Sequence, residues 1–146
     1  MSIASLDGIL KIFGGSDPTP EEQTQLAKEV MLMTLARATA ADTNIKAIEV
    51  ETVRQVLHAH TGEEFPVADV RVAAQSAIFE KAPLDKYLSS AAKKLRDDDR
   101  LEIAQALEEV INADGRISEY EISFFNMVAN SLALTPAQLM GLKAED

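Results

Sequence analysis

Residues 41–50 read Ala-Asp-Thr-Asn-Ile-Lys-Ala-Ile-Glu-Val, and residues 113–122 read Ala-Asp-Gly-Arg-Ile-Ser-Glu-Tyr-Glu-Ile. Alanine, aspartate, isoleucine, glutamate and a closing aliphatic residue recur at the same offsets, 72 residues apart. Each copy lies where one apolar-periodic stretch ends and the next begins, which is typical of the turn in a helix-turn-helix unit. The repeat therefore predicts a duplicated helix-turn-helix, with an aspartate and a glutamate at matching points of both halves.

The composition favours one compact helical domain. The chain has 146 residues, of which 47% are apolar and 5% are aromatic. A core of Ala, Leu, Ile, Val and Met suits close-packed helices, since strands favour aromatic and β-branched residues. No alternating apolar and polar window predicts a strand. We therefore expect an all-α fold: a single compact domain of seven or eight helices with two pseudo-repeated helix-turn-helix halves.

Two regions are expected along the chain. Residues 1–15 predict a short N-terminal amphipathic helix, and residues 16–146 predict the all-helical domain. The polar face of the N-terminal helix is not basic, which disfavours a membrane anchor and favours docking onto the protein's own surface. Its apolar positions at helical spacing are Ile3, Leu6, Ile9, Leu10 and Phe13.

Capping residues predict several helix limits. Capping-box sequences start helices at Thr19 and Thr135, each followed by proline at the first helical position. The helix after the first copy of the repeat is expected to begin near Lys46 and to end at Gly62. Asp97 is expected to cap the helix that leads into the second copy.

Charge and cysteine content indicate which kinds of partner and which cellular compartment the sequence favours. Twenty-four acidic and fourteen basic residues give a formal net charge of −10, which repels the phosphate backbone of nucleic acids and attracts cations or basic proteins. No apolar run reaches the roughly 20 residues of a membrane span, and no signal peptide is visible. Cysteine is absent, which fits a reducing compartment. We expect a cytoplasmic protein with a protein partner and no nucleic acid.

The second copy can be explained by helix capping alone. Ser118 would accept from the backbone three residues on, and Glu121 would return a bond to the Ser118 amide. Ile117 and Ile122 occupy the two positions of a hydrophobic staple. Gly115 supplies a positive φ in the turn. Under this interpretation the acids only cap helices, and the domain is a pure protein-protein interaction or scaffold module.

The alternative interpretation counts the acids as oxygen ligands. The second copy is similar to the later part of a calcium-binding helix-loop-helix, but Val110 replaces the first ligand aspartate, which disfavours an EF-hand. In the first copy the capping residues are lost while both acids persist. If the halves pack about a pseudo-twofold axis, the turns converge, and clustered carboxylates select hard ions such as Mg²⁺, Ca²⁺ or Mn²⁺. The candidate metal ligands are Asp42, Glu49, Asp114 and Glu121.

Catalytic motifs are not evident in the sequence. The two histidines, His58 and His60, are two residues apart on a predicted helix, so their side chains do not face each other. A protonated histidine near the helix C-terminus complements the helix dipole instead. No nucleophile elbow and no glycine-rich phosphate loop is present. We assign no catalytic residues and no bound organic cofactor, and we expect a protein that is not an enzyme.

One stretch carries a family resemblance. Residues 110–121 (Val-Ile-Asn-Ala-Asp-Gly-Arg-Ile-Ser-Glu-Tyr-Glu) and residues 128–136 (Val-Ala-Asn-Ser-Leu-Ala-Leu-Thr-Pro) resemble the TerB-like tellurite-resistance family. The same motif occurs in an N-terminal domain of certain membrane-anchored DnaJ-type co-chaperones. In that family an alanine-aspartate-glycine turn precedes a glutamate-bearing helix, and a short capped helix follows.

The resemblance implies an all-helical domain of two similar halves. It also implies a bacterial cytoplasmic protein of tellurite or general stress response, with metal binding at paired acidic turns. Asp114 and Glu121 match the motif well. Asp42 and Glu49 match it in part, because Thr43 replaces the turn glycine. The resemblance implies no catalytic activity.

Overall fold

The computed structural model describes residues 19–39, 49–75, 83–113, 115 and 117–142. The secondary structure within these ranges is helical, without a strand, which confirms the predicted all-α fold. The seven helices of the described residues are α1 (Pro20–Thr39), α2 (Val50–Thr61), α3 (Val67–Ala74), α4 (Leu84–Ala92), α5 (Asp97–Asn112), α6 (Glu119–Ser131) and α7 (Pro136–Leu139). The N-terminal helix predicted for residues 1–15 lies outside the described residues.

Capping boxes start α1 and α7 as the sequence predicts. At α1 the Thr19 amide donates to Glu22 Oε1 at 2.9 Å, and the Glu22 amide donates to Thr19 Oγ1 at 3.1 Å. At α7 the Thr135 amide donates to Gln138 Oε1 at 2.8 Å, and the reciprocal bond measures 3.1 Å. Each box pairs two backbone amides that would otherwise lack a helical partner.

Two predicted helix starts are wrong. Helix α2 begins at Val50 rather than near Lys46, because Glu49 has extended backbone (φ −73°, ψ 139°). The first copy lacks a Ser or Thr cap at the position equivalent to Ser118, so nothing local favours an earlier start. Asp97 does not cap α5 but is its first residue, and Arg96 occupies the cap position. Asp97 therefore acts on the helix dipole rather than as a cap.

Helix α1 is the centre of the core. From Leu26 to Ala38 nearly every side chain is buried, including that of Glu29, and α1 packs against α2, α3 and α5. A helix that is apolar on most sides must be covered on most sides. At the C-terminal end of α1, Arg37 Nη1 donates to the Ala74 carbonyl at 3.2 Å, which binds one of the last carbonyls of α3.

The packing repeats between the two halves. In the first half α1 contacts α2 and α3, and in the second half α5 contacts α6 and α7. The opening helices α1 and α5 also pack against each other, and α4 covers α6. The sequence repeat thus corresponds to two helical units of the same order that meet along their first helices. One compact helical domain results.

The third helices of the two units differ in length. Helix α3 has 8 residues and buries Val70, Ala73 and Ala74, and the preceding Phe65 is also buried. Helix α7 has 4 residues and contributes no buried side chain. Within the described residues, the third helix therefore covers less apolar surface in the second unit than in the first.

Candidate functional site

The four predicted metal ligands fall into two groups. Asp42 and Asp114 lie outside the described residues, so the separation of their carboxylates is not defined. Glu49 and Glu121 are described, and each lies at the start of the helix that follows its turn. The structure thus brings one acid of each copy to a helix N-terminus, where negative charge is stabilised by the helix dipole.

Glu121 is a capping residue. Its Oε1 accepts from the Ser118 amide at 2.9 Å, and its own amide donates to Ser118 Oγ at 3.1 Å. This is the complete capping box that the sequence predicts. The turn before it also matches expectation, because Gly115 has φ +75°. Capping accounts for one oxygen of the Glu121 carboxylate.

Glu49 lies in a different position of its helix. It is the N-cap residue of α2, it is exposed, and its side chain makes no capping hydrogen bond. Glu121, the residue at the matching offset of the repeat, is the third residue of α6 instead. The two glutamates are therefore equivalent in sequence but not in helical register, and capping explains Glu121 without explaining Glu49.

The donor chemistry suits a hard divalent cation, since the four candidates offer only carboxylate oxygens. Among the residues that the structure describes, no group of three or more His, Cys, Asp or Glu side chains is arranged to hold a metal ion. Glu49 and Glu121 alone supply at most part of a coordination shell. The remaining donors would be Asp42 and Asp114, which lie outside the described ranges.

One histidine of α2 bridges two glutamates of α5 and so links the two halves. His60, near the end of α2, has its Nδ1 3.0 Å from Glu102 Oε2 and its Nε2 in a short hydrogen bond with Glu109 Oε2. Glu102 and Glu109 lie two turns apart on one face of α5, so one imidazole reaches both. The His60 side chain is 16% exposed. The ring nitrogens point to opposite carboxylates, which makes this a bridge between helices rather than a chelating site.

The bridge changes the acidity of His60. Burial alone would lower the pKa of His60, but the hydrogen bonds that its ring donates to the carboxylates of Glu102 and Glu109, together with their negative charges, outweigh burial and raise the pKa above 6.5. His60 is therefore held in its charged form further toward neutral pH than a free histidine. The sequence did predict a role for protonated histidine at the helix end, but it could not identify partners that are remote along the chain.

A buried glutamate of α1 and a buried tyrosine of α4 interact through charge. Glu29 is fully buried on α1, and Tyr87 of α4 is 4% exposed. Burial, followed by the charge of Glu29, raises the pKa of Tyr87 well above its ordinary value of 10. The Tyr87 hydroxyl therefore stays protonated, and neutral, at physiological pH. The sequence analysis did not predict the burial of Glu29, because a glutamate on a helix is expected to face solvent.

An apolar groove runs between α5 and α6 and ends at α7. Its cavity volume is about 350 Å³, within the range of pockets that bind side chains or small ligands. Ile117 and Ile122 line it and are 50% and 49% exposed. The remaining apolar residues that line the groove are Leu101, Ala104, Ile111, Phe125 and Leu139, and the polar ones are Gln105, Glu108, Asn112 and Glu121.

A wider acidic depression adjoins the groove across α5. It has a volume of about 600 Å³ and is lined by polar residues, among them His60, Glu108 and Glu109. Gln105, Glu108 and Asn112 line both surfaces. The C-terminal half of α5 thus presents an apolar face to one side and an acidic face to the other, directly before the second turn.

Over the part of the chain that the structure describes, no helix is long and apolar enough to cross a membrane.

Comparisons with known proteins give one positive result. Nothing matches among curated proteins or among solved structures. Residues 28–144, which include both acidic turns and all helices from α2 onward, match the family described as Tellurite resistance protein TerB. Because this match covers most of the 146 residues, the chain belongs to the TerB tellurite-resistance family.

Proposed function

We propose that this chain is a non-enzymatic module of tellurite-resistance type that binds a divalent cation through its two acidic turns. The observation that carries the proposal is the state of Glu49. This carboxylate lies at a helix N-terminus, is exposed, and makes no capping hydrogen bond, although the matching Glu121 does. The acid has been kept in a copy where its capping partners are absent, and ligand binding gives it a role.

The residues that would hold the ion are Asp42, Glu49, Asp114 and Glu121. Four carboxylates near one another repel, and a divalent cation relieves that repulsion while it joins the two turns. Mg²⁺, Ca²⁺ and Mn²⁺ accept such all-oxygen donor sets. The net charge of −10 adds a long-range attraction for cations.

The cellular setting belongs to the same proposal. We place the module in the bacterial cytoplasm, in the response to tellurite or a related stress, with a protein as its macromolecular partner. The family match supports the stress role, and the negative charge supports a basic protein over a nucleic acid. The chain has no cysteine, so thiol reduction of tellurite is not available to it.

The test is a thermal unfolding titration of the full chain with Mg²⁺, Ca²⁺ and Mn²⁺. If an ion binds only the folded state, a free ion concentration of about 100 times the dissociation constant stabilises that state by about 2.7 kcal/mol. We expect at least one of the three ions to raise the melting temperature. No response at millimolar ion would overturn the proposal.

Paired variants separate ion binding from capping. Asp42→Ala combined with Asp114→Ala should abolish the ion response and leave the ion-free melting temperature nearly unchanged. If the acids only cap helices, the same double variant should lower stability by about 1 kcal/mol per cap and change no ion response. The Ser118→Ala variant is the matched control, because it breaks the capping box while keeping every carboxylate.

A further inference from the structure

We propose that the N-terminal segment of this chain, residues 3–13, docks as a helix into the apolar groove between α5 and α6. This inference does not depend on cation binding. It rests on the difference between the two halves, on the dimensions of the groove, and on the length of chain that joins the segment to α1.

In the first half, a third helix packs over the two helices that correspond to α5 and α6. Helix α3 packs against both α1 and α2 and buries Val70, Ala73 and Ala74. In the second half α7 holds the same place in sequence order and contacts α5, but it has 4 residues and buries none. Among the described residues, the third helix of the second unit therefore gives about one helical turn less cover to its neighbours than α3 does.

The uncovered surface is apolar. Ile117 and Ile122 are about half exposed where they line the groove, and the partly buried Leu101 and Phe125 line it as well. Exposed aliphatic side chains that line a concave surface favour a partner, since burying each stabilises by roughly 1 kcal/mol or more. The walls run along α5 from Leu101 to Asn112, which is about 16 Å at 1.5 Å per residue.

The N-terminal segment matches the groove in length and chemistry. As a helix, residues 3–13 would extend about 15 Å. Their apolar residues recur at helical spacing and form one stripe, and the polar face carries both Asp7 and Lys11. A helix of this length is marginal in water on its own, so its sequence needs a surface to pack against.

The segment can reach the groove. Arg96 Nη2 donates to Thr24 Oγ1 at 3.3 Å, which fixes the N-terminal part of α1 beside the start of α5. Leu101, at the end of the groove that is nearer to α1 Thr24, lies about 8 Å along α5 from Arg96. The link of residues 14–19, which contains Gly14 and Gly15, spans up to about 20 Å when extended. Docking within the same chain is therefore geometrically possible without moving α1.

Disulfide trapping in the full chain tests the proposal. The protein has no cysteine, so two introduced thiols report on each other alone. Leu6→Cys or Leu10→Cys would be combined with Ile122→Cys or Ile117→Cys, and a disulfide requires Cα atoms about 4.4–6.8 Å apart. We expect an intramolecular disulfide for at least one pair. Both groove positions are half exposed, so the substitutions should leave the helical circular dichroism spectrum unchanged.

Val72 provides the matched control. It is 50% exposed on α3, in the other half of the molecule, whereas Ile122 is 49% exposed. Cross-linking at the groove should exceed cross-linking to Val72→Cys by about fivefold or more, because docking raises the effective concentration of the two thiols. Adding Ile9→Asp should remove this excess, since a carboxylate cannot be buried there unpaired.

Three outcomes would overturn the inference. Equal cross-linking at Val72 and Ile122 would mean that the segment samples the surface without a site. Disulfide-linked dimers in place of monomeric cross-links would assign the groove to a second copy of the chain. The absence of a disulfide at every groove pair would leave the groove to another partner.

Discussion

At the residue scale, His60 adds a charged bridge between the two halves of the molecule, which pack together mainly along α1 and α5. Its imidazole bridges Glu102 and Glu109 of α5, and their hydrogen bonds raise its pKa above 6.5 despite partial burial. Below pH 6.5 the ring is protonated in the folded and the unfolded chain, so the bridge contributes in full. The contribution is lost as the pH rises through the higher folded pKa.

We therefore predict that His60→Gln lowers stability most under mildly acidic conditions. The wild type should exceed the variant by about 1 kcal/mol or less below the unfolded pKa, since both carboxylates are partly exposed. The difference should shrink as the pH is raised. Urea unfolding across this range measures it. His58→Gln is the control, because His58 is exposed and its ring lies 3.4 Å from a backbone carbonyl. A pH-independent difference between wild type and His60→Gln would contradict the account.

The two glutamates of the repeat yield a second prediction. Glu121→Ala removes half of a capping box and should destabilise the ion-free protein by about 1 kcal/mol. Glu49→Ala removes an exposed side chain without a capping bond and should change stability by less than about 0.5 kcal/mol. Thermal unfolding without divalent ions compares them. Equal losses would show that both acids cap their helices, which would remove the main support for a ligand role.

Local side-chain chemistry was predictable, and remote pairing was not. The bonds of Ser118 and Glu121 follow from residues three positions apart, which is why the sequence alone predicts them. His60 meets Glu102 and Glu109 only because α2 packs on α5. A partner that lies far along the chain is set by tertiary packing, and a single sequence carries no signal for it. The carboxylate separation between Asp42 and Asp114 belongs to the same class and stays a prediction.

At the element scale, the end of α6 stores backbone strain. Ala133 has φ +59° and closes the helix in a left-handed turn, in which the Leu134 amide donates to the Ala129 carbonyl at 3.0 Å and the Ala133 amide donates to the Asn130 carbonyl at 3.0 Å. Glycine usually occupies this position, because a Cβ atom is disfavoured there. The left-handed conformation of Ala133 ends the helix, and the buried Leu134 follows directly after it.

Ala133→Gly should therefore stabilise the protein by about 0.5–1 kcal/mol, since relief of strain exceeds the extra entropy of the unfolded chain. Chemical denaturation at neutral pH measures the change. Ala137→Gly, in α7, is the control and should have the opposite sign, because glycine in a helix with normal backbone angles is destabilising. A loss of stability in Ala133→Gly would contradict the strain.

Helix limits follow the strength of their capping signals. The starts of α1, α6 and α7 are marked by full capping boxes, and the sequence places all three. The start of α2 has no such box, and the prediction near Lys46 was about one turn too early. Where no side chain fixes the first turn, tertiary contacts decide where a helix begins, and periodicity alone cannot.

At the scale of the whole molecule, duplication organises the fold. Each unit orders its helices in the same way, and α1 and α5 meet at the centre. The sequence repeat predicts this arrangement because matching apolar periods must bury matching faces. A short capped helix at the end of the second unit was expected, and α7 has 4 residues where α3 has 8.

The central claim is that the two turns share one cation, and isothermal titration with Mg²⁺, Ca²⁺ and Mn²⁺ tests it most directly. Wild type, Asp42→Asn and Asp114→Asn would be compared in the full chain. A shared site predicts one ion per chain and a loss of about tenfold or more in affinity for each single variant, because each removes one charged ligand. Two ions per chain, each abolished by only one variant, or affinity unchanged in both variants, would contradict it.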